Sequence, residues 1–197
     1  MPALRKDIDP EGLLEFSVVY TDRALNHMSV QFQQVMKDLS FELKSLFQAD
    51  ALAIVPGSGT AGMEAVARAL ATDQDAVIIR NGWFSYRWTQ ILEAIGVAKS
   101  SHVFKACLQE GKNGQFVPAD INEVTAYIKE HRPGVVFAPH VETASGMMLS
   151  DDYIRALAEA VHLVGGLLVI DCIASGCIWL DMKALGIDVL LSAPQKG

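Results

Sequence analysis

The sequence predicts an α/β fold, a three-layer sandwich in which a mostly parallel sheet lies between two layers of helices. Three observations predict it. Segments that are apolar throughout, at residues 76–79, 135–138, 167–170 and 189–191, alternate with segments whose apolar residues recur at helical spacing. Strands that lack polar alternation are buried on both faces, as a parallel sheet requires. The 197 residues are 51% hydrophobic, slightly above an average globular composition, and suffice for one domain with a real core.

The elements follow in order. Residues 1–26 read as an irregular N-terminal segment, with Pro2 and Pro10 among polar residues and short apolar groups; residues 27–197 read as the domain itself. Over 27–48, Phe32, Val35, Met36, Leu39, Leu43, Leu46 and Phe47 recur as one face of a helix. The apolar run 51–55 reads as a strand that Pro56-Gly57-Ser58-Gly59 ends, and 60–71, rich in Ala, Met and Leu, as a helix. Strands are then expected at 76–79, 102–104, 135–138, 167–170 and 189–191. Between them fall helices at 84–95, 121–130 and 153–164, a helical turn at 182–185, and a polar connection at 110–119. In such a sheet the ligand lies beyond the carboxyl ends of the strands.

Composition excludes several classes. The net charge of -7, with no run of Lys or Arg, argues against nucleic-acid binding. Residues 1–10 hold no apolar signal core. The longest apolar stretch, 161–170, is interrupted by Gly165 and Gly166 and is too short for a bilayer, so no membrane association is expected. Cys107, Cys172 and Cys177 form no CxxC pair, which fits a reduced, cytoplasmic setting. No His pair has metal-ligand spacing; His140, Glu142 and Asp171 are the one set to consider, and no metal is expected. The chain stops one residue after Lys196, just past a predicted core strand, so the domain is expected to be truncated here.

Three strand ends carry chemistry. Gly57-Ser58-Gly59-Thr60-Ala61-Gly62 matches G-x-G-x-x-G between a predicted strand and a predicted helix, the context of a dinucleotide-binding loop. Against that reading, the loop begins some fifty residues into the chain, and Arg80-Asn81 rather than an acidic residue ends the next strand. A phosphate cradle remains, in which free N–H groups and the helix dipole favour an anion and Ser58 and Thr60 add hydroxyls. Asp171 tips an apolar strand as either a buried structural group or a functional carboxylate. Lys196 lies just past another; alone it would read as solvated.

Taken with Glu64, with Asn81-Gly82-Trp83-Phe84-Ser85-Tyr86-Arg87, with His140-Val141-Glu142-Thr143-Ala144-Ser145-Gly146, with Val169-Ile170-Asp171-Cys172-Ile173-Ala174-Ser175 and with Ser192-Ala193-Pro194-Gln195-Lys196, the pattern becomes specific. Over nearly its whole length the chain resembles the class V, fold-type I pyridoxal-phosphate (PLP) aminotransferases, especially the alanine–glyoxylate and serine–glyoxylate group. The resemblance implies a PLP large domain whose smaller C-terminal domain is absent from this sequence. It implies Lys196 as the Schiff-base lysine and proton carrier, and Asp171 as the carboxylate that keeps the pyridine nitrogen protonated. Phe84, with Trp83 as the less favoured neighbour, would stack on one ring face, and Ile173 would press on the other. Ser58, Gly59, Thr60 and Gln195 would hold the phosphate, and Thr143 or Ser145 would reach the ring hydroxyl. His140 reads equally as a partner behind the ring or as a structural histidine; Glu142, Arg87 and Glu64 read as structural. Asn26, His27 and Met28 would run near the substrate side.

The activity implied is transfer of an amino group from an alanine- or serine-like amino acid to a glyoxylate- or pyruvate-like 2-oxo acid, by a homodimer. Two departures from the family pattern stand out. Ala144-Ser145-Gly146 replaces a frequent Ser-Thr-Gly, and Gly197 follows the lysine where Ala or Cys is usual. The rival readings are a cysteine desulfurase or lyase on the same scaffold, a dinucleotide-dependent oxidoreductase using residues 57–62, and a PLP-binding or dimer-interaction module without activity.

Overall fold

The structure is a computed structural model that describes residues 29–109 and 114–196. The expected boundary between residues 26 and 27, the segment Asn26-His27-Met28 and Gly197 lie outside the described residues. The chain divides into two compact units, Met1–Leu52 and Ala53–Gly197.

In the first unit a single helix, α1 (Val30–Phe47), is described. Ser29 caps it by accepting a hydrogen bond from the Phe32 N–H at 3.0 Å. It ends where Gln48 turns left-handed, at φ 53°.

The second unit holds, in order, α2 (Gly59–Leu70), β1 (Asp75–Arg80), α3 (Tyr86–Ile95), β2 (Ser100–Lys105), β3 (Cys107–Leu108), β4 (Phe116–Val117), α4 (Ile121–His131) and β5 (Val135–Pro139). It continues with β6 (Val141–Glu142), β7 (Met147–Met148), α5 (Asp151–Leu163), β8 (Leu167–Asp171), α6 (Met182–Leu185) and β9 (Val189–Leu191). Five strands form one sheet in the order β2-β1-β5-β8-β9. All four pairings are parallel, so the expected sheet is present.

The period of two in each strand sorts its residues between two cores. Ala76, Ile78, Val135, Phe137 and Val169 face α2 and α3, where Trp88 stacks on Phe137 with ring centroids 4.3 Å apart. Val77, Ile79, Val136, Ala138, Leu168 and Ile170 face the opposite layer, against Val124 and Ile128 of α4 and Ile154, Leu157 and Val161 of α5. Each large side chain so buried contributes about 1.5–3 kcal/mol. That two-sided burial is why the strands are apolar throughout. The helices start where side chains accept first-turn amides: Ser58 from Ala61, Asp120 from Asn122, Ser150 from Tyr153, Asp181 from Ala184.

Three expectations need correcting. Residues 51–55 form no strand: none of the described strands pairs with them, and Leu52, Ile54 and Val55 are exposed. An apolar run is not a strand without a neighbour to complete its ladder. The helix expected from residue 84 starts at Tyr86, because the amides of Phe84 and Ser85 are taken by a carboxylate described below. The polar connection at 110–119 contains β4, which pairs with β3 in a short hairpin. Among the described residues no helix is long and apolar enough to cross a membrane.

Candidate active site

Because the five strands run the same way, the loops after β1, β5, β8 and β9 leave from one edge of the sheet. Nearly every residue singled out in the sequence lies on these loops. Asp171 ends β8 and pairs in register with Leu191 of β9, and the Cys172 N–H donates to the Leu191 carbonyl at 2.8 Å. Five residues on, Lys196 closes a 3₁₀ turn, Pro194–Lys196, its N–H donating to the Ala193 carbonyl at 3.1 Å. The turn after β8 passes beside it, since a side-chain carbon added to Gly176 would stand 3.8 Å from the Lys196 carbonyl oxygen. Lys196 and Gln195 are exposed. The two reacting groups implied by the resemblance thus follow neighbouring parallel strands.

The glycine loop joins the same edge through α2. A carbon added to Gly59 would fall 2.6 Å from Ile173 Cδ1, so the first turn of α2 and Ile173, two residues past Asp171, are in contact. Gly57 has φ 144°, a conformation L side chains rarely adopt, which lets the chain turn into the helix. Ser58 Oγ accepts from the Ala61 N–H at 3.4 Å. The earlier first-turn amides, at Gly59 and Thr60, have no intrahelical acceptor. Among the described residues no strand leads into this loop, so the strand–loop–helix context of a dinucleotide fingerprint is missing there.

Asp171 is the electrostatic centre. It is buried, and one oxygen accepts the Ile173 N–H at 2.9 Å. Burial pushes its carboxyl up to about 6, against the lowering effect of that hydrogen bond, and the nearby Glu142 carboxylate pushes the same way as burial. Among the described residues no Lys, Arg or His forms an ion pair with it. The neighbouring Cys172 thiol is pushed up to about 12 by burial, which leaves it a small apolar group rather than a nucleophile.

On the β1 loop, Phe84 is 49% and Trp83 64% exposed. Trp83 leans on Tyr86, centroids 5.8 Å apart, and the Arg80 guanidinium lies 4.9 Å above that ring. Thr143 and Ser145 are exposed at the tip of the β6–β7 hairpin. Glu64 pairs with Arg68 one helical turn away on the surface of α2, at 2.7 Å.

Three arrangements were not legible in the sequence. Glu142, fully buried, accepts from the N–H groups of Phe84 (3.1 Å), Ser85 (2.8 Å) and Ala144 (3.2 Å) and from Ser85 Oγ (2.6 Å). His140, also buried, bonds through Nδ1 to Ser175 Oγ at 2.7 Å, and burial lowers its basicity. Arg87 Nη1 donates to Thr60 Oγ1 at 3.2 Å, bracing the glycine loop from α3. The available signal for Glu142 was Gly82: a carbon there would stand 2.6 Å from Glu142 Cγ. Gly82→Ala is therefore expected to destabilise the protein by about 1–3 kcal/mol through overpacking. Thermal unfolding of the variant checks this, and an unchanged midpoint would contradict the packing described. Among the described residues no group of three His, Cys, Asp or Glu gathers as a metal site.

Residues 14–197 match the model of a family described as aminotransferase class-V. The chain is 32% identical over 148 residues to the L-aspartate–glyoxylate aminotransferase of Paracoccus denitrificans, covering 73% of this chain and 35% of that protein. It is also 32% identical over 175 residues to the serine–glyoxylate aminotransferase of Hyphomicrobium methylovorum, covering 86% and 41%. Among solved structures, the ureidoglycine–glyoxylate aminotransferase of Bacillus subtilis superposes with a TM-score of 0.67 at 26% identity, over 84% of this chain and 41% of that one. The chain thus spans well under half the length of these relatives.

Proposed function

The chain belongs to the class-V aminotransferase family, of the PLP-dependent fold type I, and from that premise we propose that it carries the cofactor and proton-transfer site of a PLP aminotransferase. The observation that carries the proposal is Asp171. A carboxylate so poor in partners, pushed up to about 6, is stabilised by a cation brought to it, and a protonated pyridine nitrogen is such a cation.

The remaining side chains fit the same group. The free first-turn amides of α2, with the Ser58 and Thr60 hydroxyls and Gln195, offer donors to a phosphate. Phe84 offers a half-exposed aromatic face for one side of the ring, and Ile173, packed on Gly59, an aliphatic surface for the other. Thr143 or Ser145 supplies a hydroxyl to the ring oxygen. Bound PLP supplies an electron-withdrawing ring that accepts the electron pair left when the amino acid's Cα–H bond breaks. The Lys196 Nζ takes that proton and returns it on the cofactor side. Asp171 holds a proton at the ring nitrogen throughout.

The relatives are named for different amino donors but share glyoxylate. We therefore assign glyoxylate, or a 2-oxo acid of similar size such as pyruvate, as the acceptor and an alanine- or serine-like amino acid as the donor, in a homodimer with ping-pong kinetics. The test is borohydride reduction of the purified protein followed by peptide mapping. Pyridoxyl mass on the Lys196 peptide, with loss of the visible absorbance, is expected; a colourless protein that takes up no added PLP would overturn the proposal.

A further inference from the structure

Phe84 and Trp83 project from a loop with little packing to hold them, at 49% and 64% exposure. What holds the loop is hydrogen bonding. Ser85 Oγ accepts from the N–H groups of Asn81 (2.9 Å) and Gly82 (3.1 Å) and donates to Glu142. One Glu142 oxygen accepts the Phe84 and Ala144 amides, and the other accepts the Ser85 amide and hydroxyl. Phe84 and Glu142 are 58 residues apart in the chain, so this carboxylate fastens the loop after β1 to the hairpin after β5. Gly82 leaves the space that admits it.

We infer that Glu142 is a positioning residue that locks Phe84 and the Thr143–Ser145 tip into one rigid unit, so that the ring-stacking surface and the hairpin hydroxyls move together or not at all. The roles of Phe84 and the tip rest on the function proposed above; the coupling between the two loops does not. Glu142→Gln keeps size and shape but turns an amide N–H₂ toward one pair of donors, which cannot both be satisfied.

Two measurements test this. The first needs no cofactor. Hydrogen exchange at the Phe84, Ser85 and Ala144 amides should rise together by about tenfold or more in Glu142→Gln. Exchange within β5 should stay unchanged. Ser85→Ala, which does not touch residue 144, should also raise exchange at Ala144, by a smaller factor. A rise on one loop alone, no rise, or an equal rise in β5 would overturn the coupling.

The second is a double-mutant cycle on the PLP dissociation constant. Glu142→Gln and Phe84→Ala should each weaken binding by roughly tenfold, and the double variant should be no weaker than the worse single variant. Multiplying effects, near a hundredfold, would show that Glu142 does not act through Phe84. Failure of the wild-type protein to bind PLP would instead sink the proposed function, with the exchange measurement still deciding the coupling.

Discussion

Replacing Lys196 by alanine is expected to bring amino-group transfer down to background while leaving the fold intact. The two halves of that statement have separate grounds. Lys196 lies exposed on a short 3₁₀ turn, forms no ion pair among the described residues, and contributes only its backbone N–H to the local bonding. Its side chain therefore adds little to stability, and the variant should unfold within about 0.5 kcal/mol of the wild type. The chemistry has no substitute. A positioned proton carrier is worth about 10²–10⁴-fold, and in the role proposed for Lys196 losing the amine also removes the covalent hold on the cofactor. Lys196→Arg should fail as completely, because a guanidinium keeps the charge but offers neither a free amine nor a proton acceptor near neutral pH. Single-turnover formation of the 2-oxo product from an alanine-like donor measures the loss. Retained turnover in the alanine variant would move the reacting amine elsewhere in the protein.

Asp171→Asn is expected to lower turnover by at least about 10²-fold and, in the cofactor-free protein, to raise stability at alkaline pH. The sign follows from the direction of the shift. The Asp171 carboxyl is raised from 3.8 to about 6, so the folded chain holds its proton more tightly than the unfolded chain does. Below pH 4 both states are protonated and there is no penalty. As pH climbs from about 4 to about 6, the folded state alone is still protonated and stability falls, by a total of order 3 kcal/mol; above pH 6 the penalty is constant. Asparagine can keep the acceptor for the Ile173 N–H and carries no charge to desolvate, so the variant should lack this loss. Thermal melts of stripped wild type and variant at pH 4, 6 and 8 should diverge as pH rises. Parallel profiles would mean that the carboxyl is not desolvated in solution. In the proposed function the site thus pairs a stability cost with a chemical task, which is where perturbed groups concentrate.

The sequence made the sheet legible because every strand of the central sheet but one is packed on both sides and so reads as an unbroken apolar run. An apolar run that forms no strand is instructive. The run at 51–55 is as apolar as β8, yet it finds no partner among the described strands; pairing is a property of the neighbour and leaves no trace in the run itself. Two-residue pairs such as β3–β4 and β6–β7 are too short to show a period at all. At the site, Asp171 at the end of β8 and Lys196 just past β9 drew notice by position, but their roles came only from the family resemblance. The burial of Glu142 and of the His140–Ser175 pair was not legible, because a polar residue in a loop is ordinarily solvated, and only the tertiary approach of the β1 loop and the turn after β8 buries these three.

The strand order has a consequence for the time course of assembly. After β1 and β2 pair, β5 adds to the free side of β1, then β8 to β5, then β9 to β8, so each strand joins the growing edge in the order in which the ribosome delivers it. No strand has to be inserted between two that are already joined. A nascent chain could lay down this sheet progressively, each step closing a loop of a few dozen residues instead of the whole span at once. Among the described elements, Lys196 follows all the strands of this sheet. In the proposed role of Lys196, its amine would then meet a cofactor only after the glycine loop, Phe84 and Asp171 had already been laid down.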